Sequence, residues 1–206
     1  MANGNETFLA INASAQPPQL QAFRDKSGLE RVVLANRGDL QRLLSCFFGQ
    51  PIGCEIIYAN TSPRTQPASP EFPITQMRQV RLTCGLRTVC TATSTVTITA
   101  PEPERLILDE KYPLGQMFQM LRRVPAFSLL NISTSHVNGK EELQRIYKLE
   151  TDGVACATVE VFPDRTMFSQ GEAWLHNEDL IMEQLSMDLG PSGGLASLAS
   201  MPLSMS

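Results

Sequence analysis

The segment at positions 88–98, TVCTATSTVTI, constrains the fold most strongly, because it alternates with the two-residue period of a β-strand. One face carries small and apolar side chains, namely Cys90, Ala92, Ser94, Val96 and Ile98. Threonines occupy most of the other face, and threonine and valine both favour extended backbone. Residues 77–84 alternate in the same way, and Gly85 follows them as a turn residue. The two segments predict neighbouring antiparallel strands.

Other segments predict further strands and several helices. Residues 60–75 carry four prolines, and we interpret them as a surface loop that is either a lid over a site or a connector. Apolar side chains recur at helical spacing in the predicted helices. We predict helices at 40–48, 114–121 and 172–185, strands at 52–58, 77–84, 88–98, 126–135, 143–150 and 154–162, and either a short strand or the start of a helix at 30–35.

The domain organisation follows from length and composition. The chain has 206 residues, of which 42% are hydrophobic and 18% are charged, and this is enough for one domain with a core. We predict an irregular amino-terminal lead-in at 1–28, a single α+β domain at 29–185, and a disordered Ser/Gly/Met-rich tail at 186–206. The expected architecture is an antiparallel sheet of five or six strands with helices packed against it.

Charge and residue usage exclude several classes of function. The net charge is −4 and no basic run is present, so we expect no nucleic-acid partner. No apolar run reaches the roughly 18–20 residues that span a bilayer, and the first residues resemble no secretory signal. We therefore expect a cytoplasmic protein without membrane insertion and with free thiols. The two histidines lie far apart and no glycine-rich phosphate loop is present, so we expect no metal and no cofactor.

Two charged residues are embedded in apolar strands. Arg78 shares a face with Val80 and Leu82, and Glu160 lies in the sequence VEVFP. One interpretation is that the two side chains form a buried ion pair with each other. The other is a cavity for an anionic ligand, in which arginine binds a carboxylate and glutamate exchanges a proton.

Two helix starts complete the set of candidate residues. The sequences Gly38-Asp39-Leu40 and Pro113-Leu114-Gly115 each present backbone N–H groups that lack a partner within the helix. Such groups suit a carboxylate, although both sequences are also ordinary helix entries.

The order of these motifs resembles the chorismate pyruvate-lyase family, the 4-hydroxybenzoate synthases, and in particular its divergent microbial and plastid-type branch. The motifs are GDLQRLL, RQVRL, ATS, PLG, RIYKLETDG and VEVFP, and the resemblance covers residues 29–168. It implies a six-stranded antiparallel sheet, with helices on one face, around an internal ligand cavity. It also implies a cofactor-free reaction in which chorismate gives 4-hydroxybenzoate and pyruvate, as a first step toward quinone-type products.

The resemblance also assigns roles to individual residues. It implies that Arg78 binds the ring carboxylate and that Glu160 lies at the hydroxyl end of the product, and these two are the expected catalytic residues. It implies that the backbone at Leu114, next to Gly115, contacts the ligand and that Leu40 lies near another pocket-lining position. The sequence departs from the family at Ser94, where some members have arginine, and in the proline-rich loop at 60–75.

Alternative functions stay open at this point. One alternative is a non-catalytic module of the same fold that binds a small metabolite, and another is a related enzyme that makes a different hydroxybenzoate. A third alternative is an interaction or structural protein in which the arginine and glutamate are only a buried pair. We expect a monomer or a homodimer, in the cytoplasm or, for an organelle-encoded protein, in the plastid stroma.

Overall fold

The fold is known from a computed structural model, which describes residues 22–176. In chain order its elements are α1 (Gly28–Leu34), α2 (Leu40–Phe48), β1 (Ile52–Thr61), β2 (Ile74–Cys84), β3 (Arg87–Ile98), α3 (Pro101–Glu104) with a following π-helical turn (Arg105–Asp109), α4 (Leu114–Met120), β4 (Ala126–Val137), β5 (Lys140–Thr151), β6 (Val154–Phe162), α5 (Met167–Gln170) and α6 (Glu172–Leu175).

The six strands form one open antiparallel sheet in the order β1-β2-β3-β6-β5-β4. Tight hairpins join β2 to β3, β4 to β5, and β5 to β6. In the β4–β5 hairpin, Asn138 and Gly139 both have positive φ, which is the backbone conformation that a two-residue turn between twisted strands requires. The excursion through α3 and α4 separates β3 from β4, so β6 returns to lie beside β3 at the centre of the sheet.

The helices cover one face of the sheet, which we call the inner face. Alternate residues of the central strands are buried on that face, and the intervening residues on the outer face are mostly half-buried. One group of buried residues packs between the sheet and α1, α2, α5 and α6, and a second packs between the sheet and α3 and α4. The pocket described below lies on the inner face.

A cluster of charges fastens α1 to the end of the sheet. Ser27 and Glu30 cap the first turn of α1 reciprocally, and Arg165, which follows β6, donates to both Glu30 and Glu141. Burial opposes ionisation of Glu30, but the hydrogen bonds from Arg165 and Ser27 outweigh it and lower the pKa of this carboxyl. The position of α1 matters because its last carbonyl groups reach the candidate site.

The structure confirms the predicted α+β class, the antiparallel sheet and the helix at 40–48. Residues 30–34 belong to helix α1, and Ala35 is its C-cap. Strands β1, β2, β4 and β5 extend farther than predicted, so β1 and β2 include both ends of the predicted loop at 60–75. A helix also begins at Pro101, where no element was predicted. The predicted final helix at 172–185 is present only as the short α6, with Trp174 buried.

Some predictions fall outside the described residues. These are most of the lead-in at 1–28, the predicted tail at 186–206, and residues 177–185 of the predicted final helix. Within residues 22–176, no helix is long and apolar enough to cross a membrane.

Candidate functional site

A pocket of about 1100 Å³ lies between the inner face of the sheet and the first turns of α2 and α4. Small-molecule sites typically occupy roughly 300–1,000 Å³, so the space is sufficient for a metabolite. We call residues 38–42 and 113–116, which cover the pocket, the roof. All five residues that the sequence singled out line this one pocket, namely Leu40, Arg78, Leu114, Gly115 and Glu160.

Arg78 is a buried cation at one side of the pocket floor. Its residue is 7% exposed, and burial lowers the pKa of its guanidinium. Among residues 22–176, no side chain or backbone group forms a hydrogen bond or an ion pair with it. Burying a charge without a partner is costly, so this guanidinium is suited to bind an anion. A carboxylate matches its planar fork of donors.

The middle of the floor is polar but carries no charge. Arg78 lies opposite Ser94 in the strand register, and Ser94 lies opposite Thr158. The Ser94 and Thr158 hydroxyl oxygens are 3.0 Å apart and share a hydrogen bond. Ser94 therefore has a hydrogen-bond partner within the floor.

Glu160 lies at the other side of the floor, and its residue is 3% exposed. Its Oε2 accepts a hydrogen bond from Arg145 Nε at 2.6 Å, and its Oε1 accepts one from the Tyr147 hydroxyl at 2.8 Å. The ion-pair partner of Glu160 is thus Arg145, not Arg78. Each carboxylate oxygen has a second lone pair, so Glu160 can accept a further hydrogen bond from a ligand in the pocket.

Tyr147 places its hydroxyl group in the pocket beside Glu160. Burial raises the pKa of this phenol well above its ordinary value, and the negative charge of Glu160 acts in the same direction. The phenol is therefore a neutral hydrogen-bond donor at physiological pH. The Phe127 ring packs against the Tyr147 ring with centroids 5.6 Å apart, which fixes the side chain.

Arg145 stands behind Glu160 and is completely buried. Its Nη1 lies 2.8–2.9 Å from the carbonyl oxygens of Val33, Leu34 and Asn36, at and just after the end of α1. Burial opposes the charge on Arg145, but the attraction of Glu160 outweighs it and raises the arginine pKa. Its Nη2 has no hydrogen-bond partner among the described residues.

The two halves of the roof touch each other directly. A Cβ atom added at Gly115 would lie 2.7 Å from the carbonyl oxygen of Gly38, so only glycine allows this approach. The backbone N–H groups of Leu114 and Gly115 donate to no carbonyl among residues 22–176. The sequence had singled out both helix starts separately, and the fold places them side by side over the floor.

The rim of the pocket is polar and exposed. Its exposed polar side chains include Gln41, Arg42, Gln116 and Gln119. Arg42 is paired with Asp39. The thiol of Cys54 also lines the pocket, and burial raises its pKa.

The proline-rich loop lies away from this pocket. None of residues 60–75 lines it. Arg64 forms ion pairs with Glu104 and Asp109, and the Ala68 N–H donates to Glu104 at 2.8 Å. The loop is therefore fastened to α3 and to the π-helical turn as a connector.

Arg145 and Tyr147 were not identified from the sequence. A signal for them existed, because they alternate with Leu143 and Leu149 on the buried face of β5. Among the described residues, no group of three or more His, Cys, Asp or Glu side chains is arranged to hold a metal ion.

Fold and site together define an α+β protein with a pocket on one face of an open antiparallel sheet. The floor of the pocket has a buried cation, Arg78, at one side and a hydrogen-bond acceptor, Glu160, at the other. No protein-family model matches the chain, and no curated protein is significantly similar to it in sequence.

Proposed function

We propose that the chain is a chorismate pyruvate-lyase, which converts chorismate into 4-hydroxybenzoate and pyruvate without a cofactor. The observation that carries the proposal is the buried guanidinium of Arg78, which has no hydrogen-bond or ion-pair partner among residues 22–176 and lies on the same floor as Glu160. The alternative, in which Arg78 and Glu160 form a buried ion pair with each other, does not apply, because Glu160 is paired with Arg145.

The spacing of the two groups suits a ligand with one ring. Arg78 and Glu160 are separated by two strand spacings and by two residues along the strand, because Arg78 pairs with Ser94 and Ser94 with Thr158. Strand spacings of about 4.8 Å and a rise of about 3.3 Å per residue place their Cα atoms roughly 12 Å apart. Both side chains point to the inner face, so the space between their charged ends accepts a ring with a carboxylate and a hydroxyl group.

In the proposed complex, the ring carboxylate of chorismate binds Arg78 and the ring hydroxyl donates to Glu160. The free N–H groups at Leu114 and Gly115 supply further donors to the anionic substrate. Chorismate carries two carboxylates, so it needs cationic or N–H donors at two places. The polar side chains of the rim are then in a position to contact the enolpyruvyl group, which leaves as pyruvate.

The reaction needs little chemical help from the protein. The C–O bond to the enolpyruvyl group and one ring C–H bond break, and the electron pair of the C–H bond completes an aromatic ring. The proton ends on the enolpyruvyl fragment, which becomes pyruvate, so atoms and electrons balance within the substrate. Because aromatisation drives the reaction, orienting the substrate and managing one proton are the main tasks of the site. Glu160 is the residue that we assign to the proton, and Arg78 is the anchor.

The test is to incubate the purified chain with chorismate and to measure both products. Pyruvate is followed with a coupled dehydrogenase and 4-hydroxybenzoate by chromatography and ultraviolet spectrum, while heat-denatured protein gives the uncatalysed rate. We expect equal amounts of the two products. Saturable binding of 4-hydroxybenzoate without turnover would instead indicate a metabolite-binding module, and another aromatic product would indicate a related lyase.

Matched variants connect the activity to the pocket. Arg78→Ala should lower kcat/KM, whereas Arg81→Ala, on the outer face of the same strand and paired with Glu55, should not. Glu160→Gln should lower kcat, whereas Glu150→Gln, an exposed carboxylate paired with Lys148, should leave it unchanged. Full activity in Glu160→Gln would contradict the proton role.

A further inference from the structure

We propose that Arg145 is a positioning residue, which holds the carboxylate of Glu160 and the roof of the pocket in one fixed arrangement. The kinetic part of this inference rests on the proposed function, but its structural part does not. Arg145 does not line the pocket, so it acts on a ligand only through the groups that it holds.

The first group is the Glu160 carboxylate. Arg145 Nε donates to Oε2 at 2.6 Å, while Tyr147 donates to Oε1 at 2.8 Å. The two donors approach different oxygens, so together they fix the rotation of the carboxylate about its terminal bond. The remaining lone pairs then point in a defined direction, which a proton acceptor needs.

The second group is the turn that leads into the roof. Arg145 Nη1 lies 2.8 Å from the Asn36 carbonyl oxygen and 2.9 Å from those of Val33 and Leu34. The Asn36 side chain in turn accepts hydrogen bonds from the N–H groups of Gly38 and Asp39, at 3.2 and 2.9 Å. Asn36 therefore connects the arginine to the start of α2.

These contacts form one continuous path from the floor to the roof. It runs from Glu160 through Arg145 and Asn36 to Gly38, whose carbonyl oxygen lies against Gly115 in the other half of the roof. A guanidinium has donors in a fixed planar fork, so one side chain binds the carboxylate and the turn at the same time. The ammonium of a lysine is a single point and cannot hold both.

The test compares Arg145→Lys with Leu143→Ala. Leu143 lies on the same strand and the same face but outside the pocket, so its substitution controls for lost stability. Hydrogen exchange is measured for the amides of residues 36–41 without ligand, and kcat and KM for chorismate are measured where both variants are folded. For Arg145→Lys we expect at least tenfold faster exchange at 36–41 than in Leu143→Ala, and a kcat at least tenfold below wild type with KM changed less than threefold.

The outcomes separate this inference from the proposed function. Exchange at 36–41 that is no faster in Arg145→Lys than in Leu143→Ala overturns the positioning role, and so does a wild-type kcat. If the wild-type chain does not turn over chorismate, the proposed function fails and the exchange measurement alone decides the role of Arg145. If Arg145→Lys does not fold, the double variant Arg145→Gln/Glu160→Gln, which removes both charges of the pair, takes its place. Exchange at 36–41 that is at least tenfold faster in this variant than in Leu143→Ala supports the positioning role, and exchange that is no faster overturns it.

Discussion

Replacement of Arg78 by methionine should change stability and ligand affinity in opposite directions. Methionine has nearly the length of the arginine stem, is apolar, and adapts to irregular space, so it fills the position without a charge. In the free protein the guanidinium is buried, its pKa is lowered by burial, and no described residue neutralises it. Removing it relieves a cost to the folded state, and the same change removes the anchor for a carboxylate.

The expected magnitudes follow from these surroundings. A buried ion costs several kcal/mol in a closed interior, but Arg78 borders a pocket and keeps part of its hydration. We therefore expect Arg78→Met to raise the free energy of unfolding by about 1 kcal/mol, which raises Tm by about 2–4 °C in a domain of this size. A hydrogen bond to a charged group contributes about 1.5–3 kcal/mol, so Kd for 4-hydroxybenzoate should rise by roughly 10-fold to 150-fold.

Thermal unfolding without ligand and calorimetric titration with 4-hydroxybenzoate measure the two effects. Two other arginines provide controls with different expected signs. Arg81→Met, on the outer face, should change stability by no more than about 0.5 kcal/mol. Arg145→Met leaves Glu160 without its cation and should cost about 3–5 kcal/mol. A lower Tm for Arg78→Met, or an unchanged Kd, would refute the reasoning that Arg78 is a free cation kept for a ligand.

Three further substitutions or reactions test other parts of the structure. Gly115→Ala should lower kcat/KM several-fold, because its Cβ would meet the Gly38 carbonyl oxygen at 2.7 Å, whereas Gly28→Ala, with nothing within 4 Å, should not. The pKa of Glu30 is lowered on folding, so its stabilising effect is complete above its ordinary pKa of 4.5 and is lost as the pH falls below that value. Denaturant titrations between about pH 3 and pH 6 should therefore show a shallower loss of stability for Glu30→Gln. Bound 4-hydroxybenzoate should slow maleimide labelling of Cys54, measured by mass spectrometry of its peptide.

The strand alternation explains how much of the site could be predicted from sequence. Arg78 is the only charged position on its face of 77–84, so the pattern identifies it at once. The segment 143–150 carries charged or polar side chains on both faces, and this conceals Arg145 although Leu143, Tyr147 and Leu149 mark the same face. The partners of Arg145 at the end of α1 are about 110 positions away, and no local pattern indicates such contacts.

Turn and helix chemistry explain two differences in the fold. No helix was predicted at Pro101, but proline is tolerated in the first turn of a helix, where its missing N–H has no partner to lose. Asn138-Gly139 is a strong hairpin signal, and both residues adopt positive φ, so β4 and β5 run up to the turn. Both differences have local causes that the sequence carries, whereas the close approach of Gly115 to Gly38 depends on the complete fold.

The net charge of −4 makes a final prediction about how an anion reaches this pocket. An acidic chain repels a dianion at long range, so attraction must come from groups at the site. Arg42 on the rim is exposed and paired with Asp39, and Arg78 is the buried cation of the floor. Salt screens exposed charges beyond a Debye length of about 10 Å at 0.1 M but screens buried contacts much less. Raising the salt concentration about tenfold should therefore change Kd for 4-hydroxybenzoate less than about twofold. The Arg42→Ala variant should likewise change Kd less than about twofold. A steep loss of affinity with salt would place the binding cation on the surface and would exclude Arg78 as the anchor.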